Sequence, residues 1–197
     1  MDADEYRRMA EVESTHWWYA ATRTLLQQLL ADRLRPGGRF LDVGGGTGAT
    51  GAWLADHGEL VVADIEPTAV DSYRQHHTVA GAVAADLNSL PFASASFDAV
   101  LCVTVLCHRA VPSPAHAVRE LARVLRPGGR LLLVDWSRGR IAMRALNAWL
   151  RLSGDSFRRM YTIDEAGAFL RDAGFRVVTA ERRAIGWLWE LMVIEAV

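Results

Sequence analysis

The sequence contains no lysine: all 22 basic residues of the 197 are arginine, a usage consistent with GC-rich coding. Cysteine is nearly as scarce. Cys102 and Cys107 lie five apart, which is neither zinc-ligand spacing nor a disulfide framework. They read as buried free thiols in a reducing compartment. No apolar run approaches the roughly 18 residues of a membrane-spanning helix. The opening MDADEYRRMAEVE is polar and acidic, unlike a secretory leader. A cytoplasmic protein without a membrane partner is therefore expected. Repeats, low-complexity tracts and long linkers are also missing. The formal net charge of −1 argues against a general nucleic-acid binder, and no metal site is expected.

What is present describes an ordinary single domain. The chain is 51% hydrophobic and 23% charged, long enough to build a full core. Its charge is unevenly divided. Residues 1–98 hold 7 Arg against 14 acids (net −7), and residues 99–197 hold 15 Arg against 9 acids (net +6).

The most informative stretch is Phe40 to Gly51, FLDVGGGTGATG. An apolar strand runs into glycines at 44, 45, 46, 48 and 51, where a ligand can approach the backbone closely. A helix over Thr47–His57 would then point its free N–H groups at that ligand. Two readings of the loop are open. Gly46-Thr-Gly48-Ala-Thr-Gly51 fits the dinucleotide fingerprint, with Asp64 following 18 residues after Gly46 as the ribose acid. Asp42-x-Gly44-x-Gly46-x-Gly48 instead resembles the cofactor loop of class I S-adenosylmethionine-dependent methyltransferases. A carboxylate at the strand tip repels a pyrophosphate but attracts a sulfonium and an ammonium, which favours the second.

Periodicity extends the reading. Residues 2–34 read as helical, with Leu25, Leu26, Leu29, Leu30 and Leu34 on one face. Strands are expected at Arg39–Val43, Leu60–Asp64, Ala82–Ala85, Phe97–Val103 and Arg130–Trp136, and helices at Pro67–His77, Ala115–Arg126, Ile141–Leu152 and Asp164–Ala173. Two more strands, Phe175–Arg183 and Trp187–Val197, are separated only by Ala184, Ile185 and Gly186. So short a link permits a hairpin but no parallel crossover. The expected fold is α/β: a Rossmann-like, doubly wound, seven-stranded, mostly parallel sheet with an antiparallel C-terminal hairpin. Within one domain over 1–197, residues 1–38 would form a helical lid and 39–136 the cofactor core. Residues 137–160 would be a substrate-lid insertion, and 161–197 the last helix and hairpin.

With these elements the chain resembles a small class I methyltransferase of the broad family that includes the ubiquinone and menaquinone methylases. LDVGGGTG matches the family loop. Asp86 through Leu90-Pro91-Phe92 to Ser96-Phe97-Asp98 matches D-x-x-x-L-P-F followed by x-F-D, and VRELARVLRPGGRLLLVDW and TIDEAGAFLRDAGF follow the family's later segments. The resemblance implies S-adenosylmethionine held by Asp42, Gly44, Gly45, Gly46 and Gly48, with Asp64 on the ribose hydroxyls and Ile65 beside the adenine. Glu66 is a weaker ribose candidate. Asp86 would take the adenine amino group, the Leu87 backbone N–H would meet the ring, and a carbonyl near Val103 would receive the ammonium. Cys107 stands where relatives carry Glu. His16-Trp17-Trp18-Tyr19 resembles a His-Trp-Trp-Phe start found in one subgroup, where Arg23 could meet the cofactor carboxylate.

Methyl transfer needs alignment and enclosure more than acid–base help, yet a hydroxyl acceptor calls for a base. His108, after strand four, is the first candidate and His16 the second. Asp135 reads as a cap or local ion pair, Tyr161 as half-buried, and His76-His77 as solvated. Arg138, Arg140, Arg144, Arg158 and Arg159, with the charge asymmetry, suggest an anionic acceptor, such as a carboxylate, phosphate or nucleotide-sugar. Ile141, Ala145, Leu146, Trp149 and Leu150 are expected to form the packed face of the lid helix. The expected partner is a small molecule, natural products included, and the protein a monomer or homodimer. Other readings are an NAD-type oxidoreductase, a methyltransferase fold that binds the cofactor without methyl transfer, and a protein or RNA methylase.

Overall fold

The computed structural model describes residues 11–13, 16–152, 157–185 and 189–197. Seven strands form one sheet: β1 (Gly38–Val43), β2 (Gly58–Asp64), β3 (Gly81–Ala84), β4 (Phe97–Val103), β5 (Leu125–Trp136), β6 (Val177–Ile185) and β7 (Trp189–Ala196). Their order across the sheet is β3-β2-β1-β4-β5-β7-β6. The first five are parallel, and β7 is antiparallel to both β5 and β6. The hairpin expected from the short link is thus present, with Ile185 opposite Trp189. Gly186 and Trp187 lie outside the described residues.

Central strands are covered on both faces, which is why FLDV, LVVAD and VLCV read as near-continuous apolar runs. One face packs Leu41, Val43, Val100, Leu131 and Leu133 against helices α3 (Pro114–Val124) and α5 (Ile163–Asp172). The other packs Phe40, Leu60, Val62 and Leu101 against α1 (Trp17–Leu30) and α2 (Pro67–His76). The helices start where capping chemistry dictates. Ser113 caps α3 ahead of Pro114, and Thr162 with Glu165 forms a reciprocal capping box on α5. Helix α4 (Ile141–Leu152) follows β5.

Three expectations need correction. No α-helix follows the glycine loop: turns lead to a 3₁₀ segment, Ala52–Asp56. Gly48 sits at φ 101°, incompatible with a right-handed helix, so the helix-N-terminus argument fails here. Residues 2–34 are not one continuous helix: Glu11 and Val12 are helical, but His16 is extended, its Nδ1 caps Trp18 N–H at 3.3 Å, and α1 starts at Trp17; residues 2–10, 14 and 15 are outside the described set. Finally, α3 stops at Val124, and Leu125 already pairs with Phe97 in β5. The Pro127-Gly128-Gly129 turn becomes an irregularity inside that strand rather than a boundary before it.

The chain runs outward from β1 through β2 to β3, then returns to β4 on the other side of β1. The carboxyl ends of β1 and β4 therefore flank a topological switch point, where ligands of open α/β sheets bind.

Candidate cofactor and active site

A cavity of about 310 Å³ lies at this switch point. Its floor is the strand ends: Val43 and Gly44 after β1, Ala63 and Asp64 closing β2, Ala85 to Leu87 after β3, and Val103 to Val105 after β4. His108 to Val111 also line it, and the Ala110 carbonyl accepts the Asn88 side-chain amide at 3.2 Å. Of the residues expected to hold cofactor, Gly44, Gly46, Asp64, Ile65, Asp86, Leu87 and Val103 line this cavity, as does the base candidate His108.

Asp64 is buried. Its Oδ2 accepts the Gly46 N–H at 2.9 Å and its Oδ1 the Glu66 N–H at 3.0 Å. These bonds tie the glycine loop to the strand tip and fix the carboxylate's orientation. A carboxylate oxygen can accept more than one hydrogen bond, which suits the group to ribose hydroxyls. Ile65 is 52% exposed into the space beside it, an apolar face left open in a polar crevice. Asp86 Oδ1 takes both the N–H and the side-chain amide of Asn88, at 2.8 and 2.7 Å. That Asx turn aims the carboxyl group, leaving Oδ2 for an exocyclic amine. An apolar wall, a fixed diol acceptor and an aimed amino-group acceptor fit an adenosine. The described residues therefore suit the cofactor that the resemblance implies.

Other candidates lie elsewhere. Asp42 is under the loop rather than in the cavity. In β1 it shares a face with Phe40, while Val43 faces the ligand side. It accepts the Tyr73 hydroxyl at 3.1 Å, and a Cβ placed on Gly51 would overlap its carboxylate. Glycine at 51 thus allows the loop to close over a buried acid. Burial raises that acid to about 7, against the Tyr73 hydrogen bond that lowers it, with Asp64 adding to the rise. Gly45 packs on the same carboxylate and Gly48 against the His77 ring. All three support the loop from beneath.

Arg23 donates to the Ala49 carbonyl at 3.1 Å, so it braces the loop and does not line the cavity. His16 is exposed, caps α1 and stacks on Trp17; it lies off the cavity wall. His77 is half-buried against Tyr73, not solvated, and burial lowers its pKa.

The arginines after β5 mostly have partners. Arg138 places one Nη 2.9 Å from both Glu165 oxygens, and Arg159 joins the same carboxylate. Arg140 faces Glu190 at 3.4 Å, and Arg158 donates to the Val111 and Pro112 carbonyls. None of them lines the cavity. The packed face of α4 also differs from expectation: Met143 and Asn147 are buried, Leu146 and Leu150 half-buried, and Ile141, Ala145 and Trp149 exposed.

Sequence reasoning missed Thr104, Val105 and the Arg109–Val111 wall. Thr104 has φ 55°, a left-handed conformation that is strained for a β-branched residue. It turns the chain sharply at the end of β4. Asp135, fully buried, accepts the Cys107 N–H at 3.2 Å and the Trp136 N–H at 2.7 Å. Burial raises its pKa to about 6, opposed by those hydrogen bonds. It holds the turn that presents His108. The nearest signal was the mostly apolar stretch VTVLC at residues 103–107, directly before His108.

An open doubly wound sheet with this crevice, glycine loop and pair of acids defines a class I methyltransferase fold with an S-adenosylmethionine site. The comparisons agree. Residues 41–133 match the methyltransferase domain family. The demethylmenaquinone methyltransferase of Beutenbergia cavernae is 42% identical over 105 residues, covering 52% of this chain and 42% of that protein. The ubiquinone/menaquinone biosynthesis C-methyltransferase UbiE of Pseudomonas putida (strain W619) is 33% identical over 184 residues, covering 78% and 71%. A crystal structure of an S-adenosylmethionine-dependent methyltransferase from Thermotoga maritima, described as a possible histamine N-methyltransferase, shares the fold. Its TM-score is 0.75 at 23% identity, over 98% of this chain and 94% of that one. The chain belongs to the S-adenosylmethionine-dependent methyltransferases of this family, and S-adenosylmethionine, not NAD, is its cofactor. It spans about half the length of the first curated relatives it matches.

Proposed function

We propose that the chain transfers the methyl group of S-adenosylmethionine to a small-molecule acceptor with an aromatic, largely apolar body. The observation that carries the transfer reading is one cavity lined both by the cofactor candidates Asp64, Ile65, Asp86 and Leu87 and by His108. At the carboxyl end of β5, Trp18 stacks on Trp136 with centroids 4.6 Å apart and Trp136 meets Trp189 at 5.5 Å, though none of the three lines the cavity. Because Arg138, Arg140, Arg158 and Arg159 are committed to Glu165, Glu190 and main-chain carbonyls, and Arg144 is exposed away from the cavity lining, this aromatic cluster supports an apolar acceptor better than an anionic one. Relatives named for quinone rings agree with that choice.

The bound cofactor supplies a methyl already activated on a sulfonium. The chain aligns it: Asp64 and Asp86 fix the adenosine, and Leu87 offers a backbone N–H to the ring. Val103 and the turn at Thr104 form the floor near the reacting end, and the wall at 108–111 excludes water. His108 would take, at a ring nitrogen, the proton that the acceptor loses as it is methylated.

The test is transfer of a radiolabelled methyl group to a panel of hydroquinones, phenols, carboxylates and nucleotide sugars. Labelling of the aromatic hydroxyl compounds, abolished with excess S-adenosylhomocysteine, supports the reading. Labelling confined to carboxylates or nucleotide sugars contradicts the choice of acceptor.

A further inference from the structure

Helix α4 has an outer face that no described residue covers. Ile141 is 84% exposed, Trp149 64% and Leu152 86%, and Ala142, Ala145 and Ala148 are exposed between them. At 100° per residue these six side chains form one continuous stripe along the helix. Met143 and Asn147 are the fully buried positions, with Leu146 and Leu150 packed beside Met143 against Cys107, Phe157 and Met160. The apolar stripe is thus a second face, not the core face.

Charge borders it on one side. Arg144 and Arg151 are seven residues apart, two turns, so both lie along the same edge of the stripe. Both are exposed, and neither has a carboxylate partner among the described residues. The helix carries no acid at all. Trp17, 51% exposed, lies at the same end of the molecule: it abuts Trp18, which stacks on Trp136, and Trp136 packs against the Met143 cluster.

We propose that this face of α4 docks on an anionic lipid surface. Exposed Trp, Leu and Ile beside arginines is the composition of a helix that lies in the headgroup region. Such a helix needs no spanning length, in keeping with the absence, among the described residues, of any helix long and apolar enough to cross a membrane. A second copy of the chain is a poorer occupant. A two-fold contact through this stripe sets the arginine edges of both helices against a seam that holds no acid. Met143, on the buried face, packs on Cys107, the residue before His108, so docking leaves α4 between the lipid surface and the turn that carries His108. The docking inference does not depend on the acceptor chosen above, and it is tested without one.

The experiment is flotation of the whole protein with phosphatidylcholine vesicles and with mixed phosphatidylglycerol–phosphatidylcholine vesicles, at low and high salt. Binding is expected on the anionic vesicles alone, falling at high salt. Arg144→Ala with Arg151→Ala should weaken partitioning by about fivefold per arginine. Trp149→Ser with Leu152→Ser should weaken it at least tenfold while leaving the melting temperature unchanged, since both side chains are exposed. Absence of binding to either vesicle overturns the proposal. So does binding that ignores both double variants. Sedimentation as a dimer that Trp149→Ser with Leu152→Ser converts to monomer, with no lipid binding, would assign the stripe to a second copy and likewise overturn it.

Discussion

At the scale of single residues, the two cavity acids have separable roles. Asp86 is exposed and bonds only within its own turn, so Asp86→Ala should weaken cofactor binding about tenfold, the worth of one charge-assisted hydrogen bond, with little change in melting temperature. Asp64→Ala should lose affinity and also lower the melting temperature, because it releases the Gly46 and Glu66 N–H groups. Calorimetric titration beside thermal melts distinguishes the two. His108→Gln should reduce turnover by roughly 10²–10⁴-fold and leave the cofactor dissociation constant unchanged; equal loss of both would make His108 a binding residue. Asp64, Asp86 and Leu87 could be placed at the cavity from sequence because their types and spacings match a family pattern. Asp42 was misplaced for a local reason. Spacing put it next to the glycines, but strand alternation turns it toward Tyr73 and α2, away from the ligand. Arg23 and His16 were likewise close in sequence to suggestive neighbours and are used by Ala49 and by the first turn of α1.

At the scale of elements, two sets of carboxylates act on stability in opposite directions. Asp42 and Asp135 have raised folded-state pKa values, about 7 and about 6, chiefly from burial. Between the ordinary carboxylate range and those values the native state keeps protons that the unfolded chain has lost. Their contribution therefore falls as pH rises through that window. Asp98, Glu120 and Glu165 are lowered, by hydrogen bonds and arginines that outweigh burial where burial opposes. Their contribution is present above the ordinary range and is lost as pH falls through their folded values. Melting temperature should decline between pH 5 and 8, and Asp42→Asn, which keeps an acceptor for Tyr73, should flatten that decline. An unchanged slope would remove Asp42 from the explanation. Strand positions were legible because apolar runs of this length admit few alternatives. The helix expected at Thr47–His57 was not, because glycines that mark a loop by composition also allow backbone angles, such as that of Gly48, that end a helix before it starts.

At the scale of the whole molecule, ion pairs join the two halves of the chain: Asp98–Arg126 follows the charge asymmetry and Arg33–Glu195 runs against it. Glu195 of β7 is buried and receives Arg33 from the 3₁₀ turn after α1 and Arg130 from β5, while Asp98 binds Arg35 and Arg126. Glu195→Gln leaves two partly exposed arginines around a buried neutral group and should cost about 2–3 kcal/mol in a denaturant titration. A value near zero would mean that solvent already screens the cluster. The net charge of each half was visible in the sequence. Its use was not, because a linear count does not show which acids of one half the fold brings to the arginines of the other.

The most direct measurement is calorimetric titration of the purified chain with S-adenosylhomocysteine and, in parallel, with NAD. Binding of S-adenosylhomocysteine at one site in the micromolar range, weakened by Asp86→Ala, with no heat from NAD, is the expected result. Binding of NAD, or S-adenosylhomocysteine affinity that ignores Asp64 and Asp86, would contradict the assignment of the cavity at the β1–β4 switch point.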